Sequence, residues 1–305
     1  MPSKKFSSLL VIIVIVSTLA AACEPALSPP MTATPAPEAF DGQNAYAYAQ
    51  KQLSFGYRYP GSDGHSAMID WLQTELQANQ WQVSLYEYPY HDQIITNVVA
   101  HRDGTAPHIL IGAHYDTRLH ADQDKENPDK PVMGASDGAS GVAVLLELSR
   151  VIPVTQSNEI TLAFFDFEDQ GGIDDYDWIA GSTALANDPA FNLPDKVIIV
   201  DMIGDKNLNI YMDRNSDQAL STEIWQTAQT LGYSNAFIQE TKYNMLDDHV
   251  PFSKQGIPSI DIIDFDYPYW HTTQDTQENI SAKSLGIVGQ TLLYWLSKPI
   301  DSEDE

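Results

Sequence analysis

The chain has 305 residues, 43% of them hydrophobic, and a formal charge of -26. That length suits one large α/β domain, since single cores grow to about 250–300 residues before dividing, and the apolar content excludes a disordered body. A surface this acidic repels nucleic acid and anionic lipid, so neither is expected as a partner, while metal ions and peptides with a free amino terminus are attracted.

In chain order, Lys4 and Lys5 come first, followed by an apolar run from Leu9 to Val16. The run is shorter than the ~20 residues a spanning helix needs, so it reads as the core of a signal peptide over 1–22. Small residues Ala20, Ala21 and Ala22 then precede Cys23, the only cysteine. This arrangement resembles a bacterial lipoprotein signal, with Ala20 where Leu is usual. The resemblance implies lipidation of Cys23 and an exported, membrane-anchored protein of the cell envelope. Ordinary cleavage after Ala22 would instead leave a free thiol. Residues 23–38, rich in Pro, Ala, Ser and Thr, form an expected flexible linker. The folded domain is placed at 39–300, with an acidic tail at 301–305.

Within the domain, Met68, Leu72 and Leu76 recur at helical spacing and predict a helix over 65–79. Strands are predicted at 94–99 and 108–111, and a helix at 138–151. Continuous apolar runs predict buried strands at 160–165 and 196–200. A helix at 222–231, a strand at 257–263 and a closing helix at 282–296 complete the series. The sequence contains no internal repeat and no sign of a second domain. Such alternation predicts a single α/β sandwich with a largely parallel sheet covered on both faces.

In sheets of this kind, ligands bind beyond the carboxyl ends of the strands. The conspicuous polar residues fall there: His114 and Asp116, then Glu168 and Asp169, then Asp201, then Asp264 and Asp266 before Trp270 and His271. Imidazole and carboxylate are the donors that zinc takes. The pieces are GAHYD (112–116), GASDGASG (134–141), FEDQ (167–170), VDMIG (200–204), DDHVPF (247–252) and WHTTQD (270–275). Asp122, Asp124, Glu126 and Asp129 are read as a solvated acidic loop, and the Tyr-rich run before Trp270 divides evenly between a pocket wall and a cap on the sheet.

Taken in this order, the six pieces resemble the zinc-dependent superfamily of bacterial double-zinc aminopeptidases and animal-type glutaminyl cyclases. The resemblance covers nearly the whole domain, from Pro60–Ser62 to the closing helix. It implies a single α/β/α sandwich of zinc exopeptidase type with a mixed, largely parallel central sheet, and a zinc-dependent catalytic domain. It further implies Asp137, Asp169 and His271 as metal ligands, with Asp169 standing where many members have Glu. Glu168 is the implied general acid and base, Asp248 a second catalytic carboxylate and Trp270 a wall for the substrate. His114 and Asp201 match residues that complete a second zinc in the aminopeptidases and are kept without one in the cyclases, where Asp201 lies against the substrate. Zinc is therefore expected in one copy, or in two if His114 and Asp201 also bind it, in which case the resemblance implies that Asp137 bridges both metals and Asp116 orients His114. The partner is a peptide with a free amino terminus. Two reactions remain open: cyclisation of N-terminal glutamine to pyroglutamate with release of ammonia, and removal of N-terminal residues by a double-zinc aminopeptidase. The paired DDH, the segment holding Trp178 and the 118–131 loop tilt toward the cyclase. A third reading is a peptide-binding lipoprotein without turnover, which the intact Glu168 opposes.

Overall fold

Side chains on the central strands alternate between two separate cores. Ile109, Ile111, Leu162, Phe164, Ile198 and Val200 face one, and Leu110, Ala163, Phe165, Val197 and Ile199 face the other. This is the two-residue period of a strand whose both faces are covered. The computed structural model describes residues 1–2, 39–102, 108–153 and 159–298. Cys23, the 23–38 linker and the 301–305 tail lie outside them, as does nearly all of the 1–22 signal segment. Among the described residues, no helix is long and apolar enough to cross a membrane.

Seven helices and eight strands are named here in chain order: α1 (Gly42–Leu53), α2 (Asp63–Ala78), β1 (Gln82–Tyr90), β2 (Gln93–His101), β3 (Ile109–His114), α3 (Ala139–Val151), β4 (Ile160–Phe165), α4 (Ala180–Ala186), β5 (Lys196–Asp201), β6 (Ile210–Asp213), α5 (Gln218–Thr230), β7 (Phe237–Tyr243), α6 (His249–Lys254), β8 (Ser259–Ile263) and α7 (Ala282–Leu296). Six strands form one sheet in the order β1-β2-β4-β3-β5-β8. The strands β4, β3, β5 and β8 run parallel, while β1 and β2 are antiparallel additions at one edge. The sheet is thus mixed and largely parallel, as expected. Strands β6 and β7 pair separately.

The first core holds α2, α3, α5 and α7, and the second is capped by Leu185 of α4 and Phe252 of α6. Close approach decides two glycines. A methyl group on Gly112 of β3 would meet the Phe165 ring at 2.5 Å, and one on Gly141 of α3 would meet the Val200 carbonyl oxygen at 2.2 Å. The second contact brings α3 down onto β5 and so fixes the height of Asp137, which precedes that helix.

The differences from the expected elements are local. Helix α2 starts at Asp63 because Ser62 accepts a hydrogen bond from the His65 N–H. Asp217 likewise starts α5 four residues before the expected position. The unexpected elements are α1, β1, α4, β6, β7 and α6. Strand β1 is half exposed along its length, so it lacks the continuous apolar run that marked the buried strands.

From β3 the chain passes to its neighbour β4, then crosses back to β5 on the other side of β3. The reversal of direction opens a crevice above β3 and β5. His114 is the last residue of β3 and Asp201 the last of β5.

Candidate metal centre and active site

Five segments deliver the site, and three of them do so from backbone that side chains rarely adopt. Phe167, just before Glu168, has φ 53; Met202, just after Asp201, has φ 49; His271 itself has φ 53. Left-handed residues other than glycine cost of order 1–3 kcal/mol each and persist where surrounding structure fixes them. Asp166 fixes the first: its carboxylate accepts from the Phe167 and Thr96 N–H groups and sits 2.8 Å from His65 Nε2.

The side chains converge on two adjoining donor sets that share Asp137. In one, His114 Nε2 lies 3.2 Å from Asp137 Oδ1 and 3.0 Å from Asp201 Oδ1. In the other, His271 Nε2 lies 2.9 Å from Asp169 Oδ1 and 3.7 Å from Asp137 Oδ2. Within each trio the ligand atoms all lie within 4.8 Å of one another, and all five residues are buried. Asp137 therefore offers one oxygen to each trio. Its Oδ2 and the Oδ2 of Asp169 are buried without a hydrogen-bond partner. Buried carboxylate oxygens are seldom left so, and two oxygens with one imidazole nitrogen form a donor set suited to zinc.

The electrostatics agree with that fit. Burial pushes Asp169 up to about 6, with Asp137 adding to it and His271 and Arg118 opposing. For His271, burial opposes protonation, but Asp169 and Asp122 outweigh it and raise the group to about 9. Burial also raises Asp201 to about 7 against the pull of His114. A divalent cation at this point favours ionised carboxylates and neutral imidazole, and so replaces the protons these groups otherwise hold.

Glu168 is buried, and its N–H donates to Asp116 Oδ1 at 3.1 Å. Burial holds its carboxyl well above the usual range, with Asp169, Asp247 and Asp248 raising it further and His114 opposing. A raised carboxyl is a stronger base when ionised, so the carboxylate takes a proton and the acid it becomes gives that proton on.

The cavity over these residues has a volume of about 180 Å³ and is walled by Trp178, Trp270, Phe265, Met202, Met245 and Leu246, with Glu168, Asp137, Asp169, Asp201 and His271 also lining it. Trp270 lines the cavity. Of the DDH pair, Asp247 lines the cavity while Asp248 is wholly buried. Burial first, then Asp247, holds Asp248 well above the carboxylate range.

Several contributors were not singled out in the sequence. Asp275, in the WHTTQD piece, accepts from the Ser136 and Asp137 N–H groups at 2.8 and 3.1 Å and from the Tyr267 hydroxyl at 2.7 Å. It fixes the turn that presents Asp137. Asp261, inside β8, is wholly buried; burial and then Asp247 and Asp201 raise its carboxyl well above the usual range. An acid in the middle of an apolar strand was the available signal. The buried Arg58 guanidinium donates to the carbonyls of Tyr115, Met133 and Gly134 beneath the site.

Two readings change. Asp116 was expected to orient His114, yet the closest approach is 3.7 Å. Its oxygens accept instead from the N–H groups of Glu168 and Asp169 and from Gln170 Nε2, fixing the turn that carries the acid and the ligand. The 118–131 loop is not simply solvated: Asp122 Oδ1 lies 3.1 Å from His271 Nδ1, and Asp124 accepts from the Thr273 N–H at 3.1 Å.

An α/β/α sandwich with a shared-carboxylate His/Asp centre at its strand ends defines a metalloenzyme of zinc-exopeptidase type. Residues 97–296 match the sequence profile of peptidase family M28, and the chain belongs to that family. It is 26% identical over 288 residues to a glutaminyl-peptide cyclotransferase of Boiga irregularis, covering 77% of this chain and 75% of that one. Among solved structures, it resembles a glutaminyl cyclase of Tannerella forsythia (33% identity, TM-score 0.78, 85% of this chain and 99% of that one). It also resembles a Zn-dependent exopeptidase of Parabacteroides distasonis (32% identity, TM-score 0.79, 86% and 99%).

Proposed function

We propose that this chain is a zinc-dependent glutaminyl-peptide cyclotransferase, which closes an N-terminal glutamine to pyroglutamate and releases ammonia. The observation that carries this reading is the asymmetry of the two donor sets. His271 has its second ring nitrogen on Asp122, whereas His114 Nδ1 is buried with no hydrogen-bond partner. Metal-bound imidazoles almost always donate their other N–H to a carboxylate, carbonyl or water. This favours one zinc, held by Asp137, Asp169 and His271. His114 and Asp201 then remain a hydrogen-bonded pair beside the acids.

The reaction needs no water nucleophile. The peptide's α-amine attacks the side-chain amide carbon, forming the lactam C–N bond and breaking the bond to the departing nitrogen. Bound zinc supplies Lewis-acid polarisation of that amide carbonyl. Glu168 takes a proton from the attacking amine and returns one to the leaving ammonia. Burial, with Asp247 and Asp248 close by, raises the proton affinity of the Glu168 carboxylate and so strengthens it as the base. Asp201 lines the cavity, which supports a role for it in accepting from the substrate amine. The cavity of about 180 Å³ suits one terminal residue, and Trp178 and Trp270 line it.

The alternative, a double-zinc aminopeptidase, rests on Asp137 offering an oxygen to each trio. One assay separates the two: glutaminyl and leucyl arylamides offered to the same purified protein, with zinc counted per chain. Pyroglutamyl product and one zinc are expected. Arylamine release from the leucyl substrate with two zincs would sink the cyclase reading.

We further propose export and anchoring to the cell envelope through a lipid on Cys23, on the strength of the N-terminal sequence alone. Labelled fatty acid is expected to enter the wild-type chain and not Cys23→Ser; equal labelling of both would refute it.

A further inference from the structure

Arg118 is the residue that the proposed reaction leaves without a task, although it contacts Asp169 of one donor set directly and His271 of that set through Asp122. It is 3% exposed. Nη1 donates to the Asp169 carbonyl oxygen at 2.8 Å and lies 3.7 Å from Asp169 Oδ1. Nη2 reaches the Gly171 carbonyl oxygen at 3.3 Å, and both Nε and Nη2 donate to Asp122 Oδ2. Asp122 gives its other oxygen to His271 Nδ1 at 3.1 Å. The guanidinium also lies 4.6 Å from the centre of the Trp178 ring, which stacks on His271 with planes 10° apart.

We propose that Arg118, acting through Asp122, is a positioning residue that makes the Asp137–Asp169–His271 set the one that retains zinc. The inference rests on the single-zinc reading above. Asp122 fixes a proton on His271 Nδ1, which leaves the Nε2 lone pair free to face the metal. Arg118 locks Asp122 by a fork that only a planar guanidinium supplies, and holds the Asp169 backbone at the same time. The other set has no such support. Among the described residues no Lys or Arg pairs with Asp201, whose hydrogen-bond partner is His114 itself, and His114 Nδ1 has no hydrogen bond, its nearest carboxylate being Asp116 at 3.7 Å. Trp178 closes the arrangement, because its ring occupies the space beside Gly171, where a methyl group would come within 2.1 Å. Metal retention and the aromatic wall of the cavity are thus tied to one side chain.

The test measures zinc binding, not turnover. The full chain is stripped of metal and titrated with zinc against a competing chromophoric chelator, and thermal unfolding of each zinc-free protein is recorded alongside. Asp122→Asn and Arg118→Gln are expected to weaken zinc binding by about 10–100-fold, the range typical of lost partners behind a metal ligand. Arg118→Lys is expected to fail to restore it, and the double variant to be no weaker than the weaker single, since both act through one contact chain. His114→Ala is expected to keep the tight zinc within about threefold, a shift small beside that range. Zinc affinities of Asp122→Asn and Arg118→Gln within twofold of wild type, whatever their melting temperatures, would show a purely structural loop anchor and overturn the proposal. Loss of the tight zinc in His114→Ala would overturn the choice of donor set. A wild-type chain that takes up no zinc would overturn the metal reading beneath both.

Discussion

Glu168→Gln is expected to lower turnover by about 10²–10⁴-fold, the usual contribution of a positioned proton-transfer group, while leaving zinc in place. Glutamine keeps the shape of the side chain and its N–H to Asp116, but it neither takes a proton from the amine nor delivers one to ammonia. The metal trio lacks Glu168, so zinc affinity should stay within a few-fold of wild type. The substrate KM should change little if Glu168 acts on the reacting atoms and not on binding. Steady-state kinetics with metal analysis on the same sample checks both parts. Loss of zinc in this variant would mean that Glu168 and the neighbouring Asp169 have exchanged roles.

The strand-end residues were readable because the strands were. Buried runs at 160–165 and 196–200 set the sheet, and anything polar just beyond them had to sit on its rim; Glu168, Asp169 and Asp201 followed from that. Strands β1 and β7 escaped because their side chains are partly in water and give no continuous apolar signal, and β6 because it is only four residues long. The supports escaped for a different reason. Asp275 holds the Asp137 turn from 138 residues away, and Asp122 reaches His271 across 149. Spacing along the chain carries no trace of such contacts, and an acidic loop in a chain of charge -26 looks like every other acidic loop. Asp116 shows the same limit at short range. Its place two residues after His114 suggested a partner for that ring, but the turn at Phe167 brings the Glu168 and Asp169 N–H groups closer.

Removing zinc with a chelator should abolish activity and soften the fold together, and both should return with added zinc. The three proposed ligands come from just past the end of β4, the start of α3 and the segment after β8, so the metal ties one strand end of the sheet to two of its connections. If zinc is present at a thousand times its Kd, binding contributes about 4 kcal/mol to stability. For a domain of this size each kcal/mol moves the melting temperature by about 2–4 °C, so the zinc-free protein should melt lower by on the order of 10 °C. The effect should also depend on pH with a definite sign. Zinc requires His271 neutral, whereas in the metal-free arrangement Asp169 and Asp122 overcome burial and raise it to about 9. Below that pH a proton competes with the metal, so zinc affinity should fall as pH falls, by up to about tenfold per unit for one displaced proton. Calorimetric unfolding with and without chelator at several pH values measures this directly. A zinc increment that stays constant from pH 6 to pH 9 would show that zinc binding displaces no proton from His271, and would shift the metal away from that ring.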